Sequence, residues 1–166
     1  MKIYIVKETA IDEKRVAVVP DVAKKFIKDG FEVFLEKDAG YLSNFTDEDF
    51  TSVGVNIDND QSDISDADVI FCVRIPGDNL INKIKSGACL IGLLNPYDNK
   101  EKLELLSKKG INAFSMELIP RSPRAQSMDV LSSQSNLAGY KAVINSASLY
   151  NRAMPMMMTA AGTIAV

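Results

Sequence analysis

A chain of 166 residues can form one domain with a sizeable core, burying roughly 70% of the surface its unfolded form exposes, whereas two full domains would be cramped. With 46% hydrophobic and 25% charged residues it has the composition of an ordinary globular protein, neither disordered nor fibrous. A net charge of -3, with no basic stripe interleaved with aromatics, argues against nucleic acid as a partner, and the absence of histidine removes the commonest metal ligand and the commonest general base.

Lys2 to Val6, KIYIV, is a β-branched and aromatic run that predicts a buried first strand. Lys7 and Glu8 interrupt it too early for the apolar centre of a secretory leader, so the expected location is the cytoplasm. After a charged loop to Arg15, the residues Val22, Ala23, Phe26 and Ile27 recur at helical spacing between Pro20 and Asp29, with Lys24, Lys25 and Lys28 outward and Gly30 as the stop. Phe31 to Glu36 returns as a strand and completes a first βαβ unit. Thr46 precedes Asp47, Glu48 and Asp49, the cap and first-turn acids of a short helix ending at Gly54; Val55 to Ile57 follows as a third strand. Five aspartates stand between Asp58 and Asp68, but no calcium-loop geometry is fixed by their spacing, and the run reads as a solvated face around a brief helix.

Val69 to Val73 and Ala88 to Leu94 are near-continuous apolar runs, as central parallel strands covered on both faces require. Cys72 and Cys89 within them read as buried, reduced thiols rather than a disulfide or a metal site. Helices are expected over Asn79 to Ser86 and Asn99 to Lys109, and a sixth strand over Ile111 to Ser115. Six strands alternating with helices predict an α/β fold, doubly wound around a mostly parallel sheet of flavodoxin or Rossmann type. Ligands of such sheets bind outside the carboxyl ends of the strands, which nominates the loop after Val6, Arg74 to Gly77, Asn95 to Tyr97 and the segment from Glu117.

The expected division is an α/β domain over 1–133 and, over 134–166, a C-terminal helix with an apolar segment. That helix is expected to run from after Ser133 to about Asn151 with Leu137, Val143, Ile144 and Ala147 inward. Met154, Met156, Met157 and Met158 read as an interdomain core patch or a subunit contact. The tail from Ala153 to Val166 falls well short of the ~20 apolar residues that cross a bilayer.

The most informative stretch is Met116 to Tyr140, MELIPRSPRAQSMDVLSSQSNLAGY. Pro120 and Pro123 fix φ and push Ile119 and Ser122 toward extended backbone, so Arg121, Arg124, Gln126 and Asp129 are held on a stiffened loop. Arginine offers a planar fork of donors, glutamine a donor and an acceptor, and aspartate acceptors only. Together they suit both ends of a carboxamide such as nicotinamide. The same residues also suit a plainer role, with Asp129 as a helix cap and the arginines as surface charges. Nine glycines include no G-x-G, so the usual pyrophosphate fingerprint of dinucleotide-binding chains is missing.

RSPRAQSMDVLSSQSNLAGYKAV, followed by MPMMMTAAGTI, closely resembles the segment of proton-translocating NAD(P) transhydrogenase alpha subunits that carries the nicotinamide-contacting loop. KIYIVKE and EKRVAVVP look like the opening those subunits share with alanine dehydrogenases, and RSPRA departs from the more usual RISRA at Pro123. The resemblance implies an N-terminal part of the NAD(H)-binding component, with NADH bound at Arg121, Gln126, Asp129 and Ser132 and hydride passed to NADP held by a partner component. It implies that Arg121 orients the carboxamide and ribose side, that Asp129 anchors the amide and that Gln126 reaches toward the NADP-binding component. The implied partners are a Rossmann-type NAD-binding domain or chain, the NADP-binding and membrane components, and a second copy in a homodimer. Through them the chain is expected at the inner face of the membrane.

Two other readings stay open: a truncated or split-gene module that keeps the fold and subunit contacts without catalysis, and an alanine dehydrogenase-like fragment. Deamination of alanine moves protons as well as hydride, and the alanine dehydrogenase likeness implies a substrate-site histidine and a lysine near Arg74, neither of which is present. Hydride exchange between two nicotinamides requires alignment and no acid or base. In alanine dehydrogenases the arginine of the RVA motif binds a carboxylate; here Arg15 and Arg74 read either that way or as ion pairs at strand ends.

Overall fold

The computed structural model describes residues 1–152, 157–160 and 162–164, and the chain divides into two compact units, Met1–Pro120 and Arg121–Val166. The first unit is a six-stranded sheet. Its strands are β1 (Lys2–Ile5), β2 (Glu32–Glu36), β3 (Asn56–Asp58), β4 (Val69–Arg74), β5 (Cys89–Leu93) and β6 (Asn112–Ser115). They lie in the order β3-β2-β1-β4-β5-β6 with every neighbouring pair parallel, which is the doubly wound arrangement the alternation predicts. The connections carry α1 (Pro20–Lys28), α2 (Asp47–Thr51), α3 (Asp78–Lys83) and α4 (Lys100–Lys108).

Period-2 alternation sorts the strand residues into two cores. Tyr4, Ile70, Cys72 and Leu90 join one cluster with Ile81 and Leu106, while Ile3, Ile5, Val33 and Leu35 join the other with Ala23 and Phe50. Thr46 and Asp49 form a reciprocal capping box at the start of α2. On α1 the buried stripe is Ala23 with Phe26 and Ile27. Val22, expected inward, is exposed because it sits about 100° around the helix from Ala23, off that stripe. Gly92 is demanded by close approach: a Cβ there would lie 2.5 Å from the Cys72 carbonyl oxygen, where the β4 and β5 register shifts. Cys72 is buried and Cys89 half-buried, and both are free thiols.

The aspartate run departs from expectation. Asp58 is buried, accepts a hydrogen bond from the Tyr4 hydroxyl at 3.1 Å and accepts from the backbone N–H of Asp60 and Asp63, closing the turn into a 3-10 helix over Asp63–Asp66. Asp68 accepts from the Lys2 N–H at 2.8 Å and pairs with Lys85 at 2.6 Å. These two are structural ties rather than part of a solvated face.

In the second unit, Asp129 caps α5 (Val130–Leu149), which therefore begins before Ser133. No residue of α5 is buried: Leu137, Val143 and Ile144, expected inward, are 59%, 63% and 43% exposed, and Ala147 is half-buried. Leu137, Val143, Ile144 and Ala147 lie within about 120° of one another around the helix, but that face is left largely uncovered among the described residues. Beyond it, β7 (Met157–Thr159) and β8 (Gly162–Ile164) pair as an antiparallel hairpin where an apolar segment was expected. Met158 is exposed; Met154 and Met156 lie outside the described residues.

Candidate functional site

The carboxyl edge of the sheet is organised by glutamates that reach sideways to a neighbouring strand's loop. Glu36, ending β2, accepts from the Lys7 N–H at 2.9 Å; Glu8, just past β1, accepts from the Val73 and Arg74 N–H groups at 2.6 and 3.1 Å. Glu117, just past β6, accepts from the N–H groups of Leu94 and Asn95, which follow β5. Each satisfies backbone donors that a strand end leaves open. Burial pushes the Glu8 carboxyl up despite its two N–H donors, whereas at Glu117 burial is outweighed by backbone N–H groups and the Ser115 hydroxyl together, which hold the carboxyl down.

All five non-glycine residues with positive φ among the described residues, Asp12, Asp38, Asn44, Gln61 and Asn95, stand in segments leaving the carboxyl ends of strands. The glycines Gly30, Gly54, Gly87 and Gly110 take the positive φ values at the opposite edge, where helices stop. Left-handed polar residues are therefore confined to the edge where ligands of this fold bind. There, where β1 and β4 adjoin and the strand order reverses, a cavity of about 500 Å³ is lined by Val6, Glu8, Arg74, Gly77, Asn79 and Lys102, among others.

Beside it Arg15 and Arg74 converge on one carboxylate. Glu13, 8% exposed, accepts from Arg15 Nε at 2.7 Å, Arg15 Nη2 at 2.6 Å and Arg74 Nε at 3.1 Å. The Arg15 hydrogen bonds lower the Glu13 pKa to about 2. Both arginines are thus ion-paired, as one of the two sequence readings has it, though only Arg74 stands at a strand end while Arg15 lies in the connection between β1 and α1.

The predicted loop belongs to the second unit. Ile119 and Ser122 are extended, at ψ 126° and 158°, as the following prolines require. Pro123–Met128 then coils into a 3-10 helix with Ala125 buried, while Arg121, Arg124 and Gln126 are exposed. Asp129 and Ser132 are brought together: the Ser132 N–H donates to Oδ1 at 3.0 Å and its hydroxyl to Oδ2 at 2.6 Å. These bonds, with a smaller contribution from the charge of Arg121, hold the Asp129 carboxyl below the usual range. The Gln126 carbonyl accepts from the Asp129 N–H at 3.3 Å, so backbone links these two while the Gln126 amide faces solvent. Asp129 thus serves as the helix cap of the plainer reading, with acceptor capacity left on the carboxylate for a further donor.

The family model described as alanine dehydrogenase/PNT, N-terminal domain, matches residues 4–138. The chain belongs to that family. It is 48% identical over 170 residues to a Rhodospirillum rubrum chain named as the first part of NAD(P) transhydrogenase subunit alpha, covering 99% of this chain and 44% of that one. The crystal structure of transhydrogenase from Sinorhizobium meliloti superposes with a TM-score of 0.91 at 45% identity, over 99% of this chain and 49% of that one. The alanine dehydrogenase of Staphylococcus haemolyticus is more distant, at 29% identity over 139 residues, 84% of this chain and 37% of that one. The chain therefore spans somewhat under half the length of these two transhydrogenase relatives.

Sequence reasoning passed over Glu8, Glu13, Glu36 and Glu117 as site-builders. A signal was present: Glu8, Glu36 and Glu117 each stand at or within a few residues of a strand's carboxyl end. Which backbone donors they meet depends on strand order.

Proposed function

We propose that this chain is the amino-terminal part of the NAD(H)-binding component of a proton-translocating NAD(P) transhydrogenase, and that its 119–132 segment contacts the nicotinamide during hydride transfer from NADH to NADP. The observation that carries the proposal is likeness to transhydrogenase chains over 99% of this chain at 44% to 48% identity, against 29% to an alanine dehydrogenase.

The loop's chemistry fits a carboxamide. The Asp129 carboxylate retains acceptor capacity for an amide NH2, and the exposed Arg121 and Gln126 supply donors for its carbonyl. Bound there, the reduced nicotinamide supplies the hydride. The chain's contribution is orientation, and alignment requires no proton donor, in keeping with a sequence that has no histidine. No G-x-G-x-x-G is present to hold phosphates, so that task falls to a Rossmann-type partner domain or chain. NADP then belongs to another component, and a homodimer at the inner face of the membrane, attached through membrane components, completes the proposal. No helix of the described residues is long and apolar enough to cross a membrane.

The missing fingerprint also favours a second reading, a non-catalytic module. Titrating NADH into the chain alone, then with the Rossmann-type portion of the Rhodospirillum rubrum relative added, separates the two. The proposal expects binding only with both present, weakened at least tenfold by Arg121→Ala. No binding in either arrangement establishes the non-catalytic module, and alanine turnover by the pair establishes an alanine dehydrogenase-like fragment.

A further inference from the structure

We infer that Glu117 is a positioning residue for the loop assigned to the nicotinamide: its carboxylate anchors the point from which the 119–132 segment leaves the sheet. The inference rests on the role given to that loop above.

Glu117 lies in the 3-10 turn Met116–Leu118 that follows β6, and its two oxygens accept from consecutive backbone N–H groups after β5, that of Leu94 at 3.3 Å and, more closely, that of Asn95. The receiving side is rigid. Leu94 is fully buried in the core. Asn95, at a positive φ of 45°, is tied into the turn that leads to α4: its side chain donates to Asp98, and its carbonyl accepts from the N–H groups of Asp98 and Asn99. Left-handed backbone at a residue other than glycine costs energy and persists only where its surroundings over-determine it. Two neighbouring donors held by one carboxylate are such surroundings.

The chain that leaves the anchor has little freedom. Only Leu118, Ile119 and Pro120 stand between Glu117 and Arg121. Leu118 belongs to the same 3-10 turn, and the Ile119 N–H closes back on the Met116 carbonyl at 3.3 Å. Ile119 is extended at ψ 126° because a proline follows, and Pro120 has its own φ fixed. A shift of the anchor is therefore passed on to the start of the loop rather than absorbed in three residues.

This placement bears on rate more than on affinity. A loop with a slack root still reaches the ring while the Rossmann-type partner grips the phosphates, whereas misplacement of reacting groups by about 1 Å can slow transfer by up to about a hundredfold. Glu117→Gln keeps one acceptor oxygen but sets an NH2 group against a backbone N–H.

The test reconstitutes the full chain with the Rossmann-type portion of the Rhodospirillum rubrum relative and a separately produced NADP-binding component, and follows hydride transfer from NADH to NADP. Glu117→Gln is expected to lower kcat about tenfold while the KM for NADH changes by less than about threefold. In the chain alone it is expected to lower the backbone order parameters of Leu118, Ile119 and Arg121. Asp68→Asn loosens a carboxylate tie to the Lys2 N–H at the opposite edge of the sheet and serves as the comparison for a merely structural role; its kcat is expected to stay within about twofold of the parent. Should Glu117→Gln fail to fold, Glu117→Asp, with both oxygens on a shorter side chain, is read in the same ways with a smaller loss expected. The inference is overturned if a folded Glu117 variant keeps kcat within about twofold of the parent, if the loss appears in KM alone, if Asp68→Asn lowers kcat as much, or if the order parameters of Ile119 and Arg121 do not change. A parent assembly that transfers no hydride refutes the functional reading instead, and the order parameters then decide the anchor by themselves.

Discussion

Two pairs of arginines in this chain have opposite fates. Arg15 and Arg74 both point their guanidinium groups at one buried carboxylate, Glu13, whereas Arg121 and Arg124 stand exposed on a proline-flanked loop and make no ion pair among the described residues. A guanidinium neutralised by the protein's own carboxylate holds the fold together; one left in solvent remains available to a ligand. The contrast extends to the segments that carry them. The sheet unit buries two apolar clusters and ties its carboxyl edge with glutamates, while α5, which follows the loop, buries nothing.

The comparison breaks most directly at Glu13. Glu13→Ala leaves two guanidiniums without their shared acceptor and is expected to cost about 2 kcal/mol in urea unfolding, less than a fully buried pair because both arginines are partly exposed. A change below about 0.5 kcal/mol would show that this pair is no more structural than the loop pair.

Acid titration sharpens the same point. The Glu13 pKa is lowered from 4.5 to about 2 by Arg15, so its stabilising contribution is present above pH 4.5 and is lost as pH falls toward 2. The stability advantage of the parent over Glu13→Gln should therefore be largest near neutrality and shrink through that window.

Arg74→Ala removes one donor while Arg15 keeps its bidentate contact, and a cost of about 0.5 kcal/mol is expected. Asp129→Ala removes the α5 cap and should speed amide exchange in the first turn about fivefold without unfolding the sheet unit. Arg121→Ala should change stability least, by under about 0.5 kcal/mol, while weakening NADH binding by the reconstituted pair at least tenfold. Loss of stability at Arg121 comparable to that at Glu13 would erase the distinction between the two arginine pairs.

Much of the sheet was legible because its signals are local. Alternating short apolar runs and amphipathic helices place all six strands, and Thr46 with Asp49 announces the α2 cap just ahead of Phe50. The effect of the two loop prolines was legible for the same reason, since each acts on the residue before it. Asp129 was harder to assign, because the residue type that caps a helix also accepts from an amide. The inward face expected of α5 was misjudged: helical spacing shows that apolar residues recur, but says nothing about whether a neighbour is there to cover them.

Propensity, periodicity and proline geometry act over a few residues, so the order of amino acids alone specifies the α/β class, the stiffened loop and the chemical suitability of Arg121, Gln126 and Asp129. Three-dimensional packing was needed to learn that Glu8 satisfies backbone donors 65 positions away, that Glu13 reaches Arg74 across 61 positions, and that Asp58 is buried against Tyr4. Those pairings follow from strand order, which brings distant segments to one edge of the sheet, and unsatisfied donors and charges there select whichever carboxylate that order delivers.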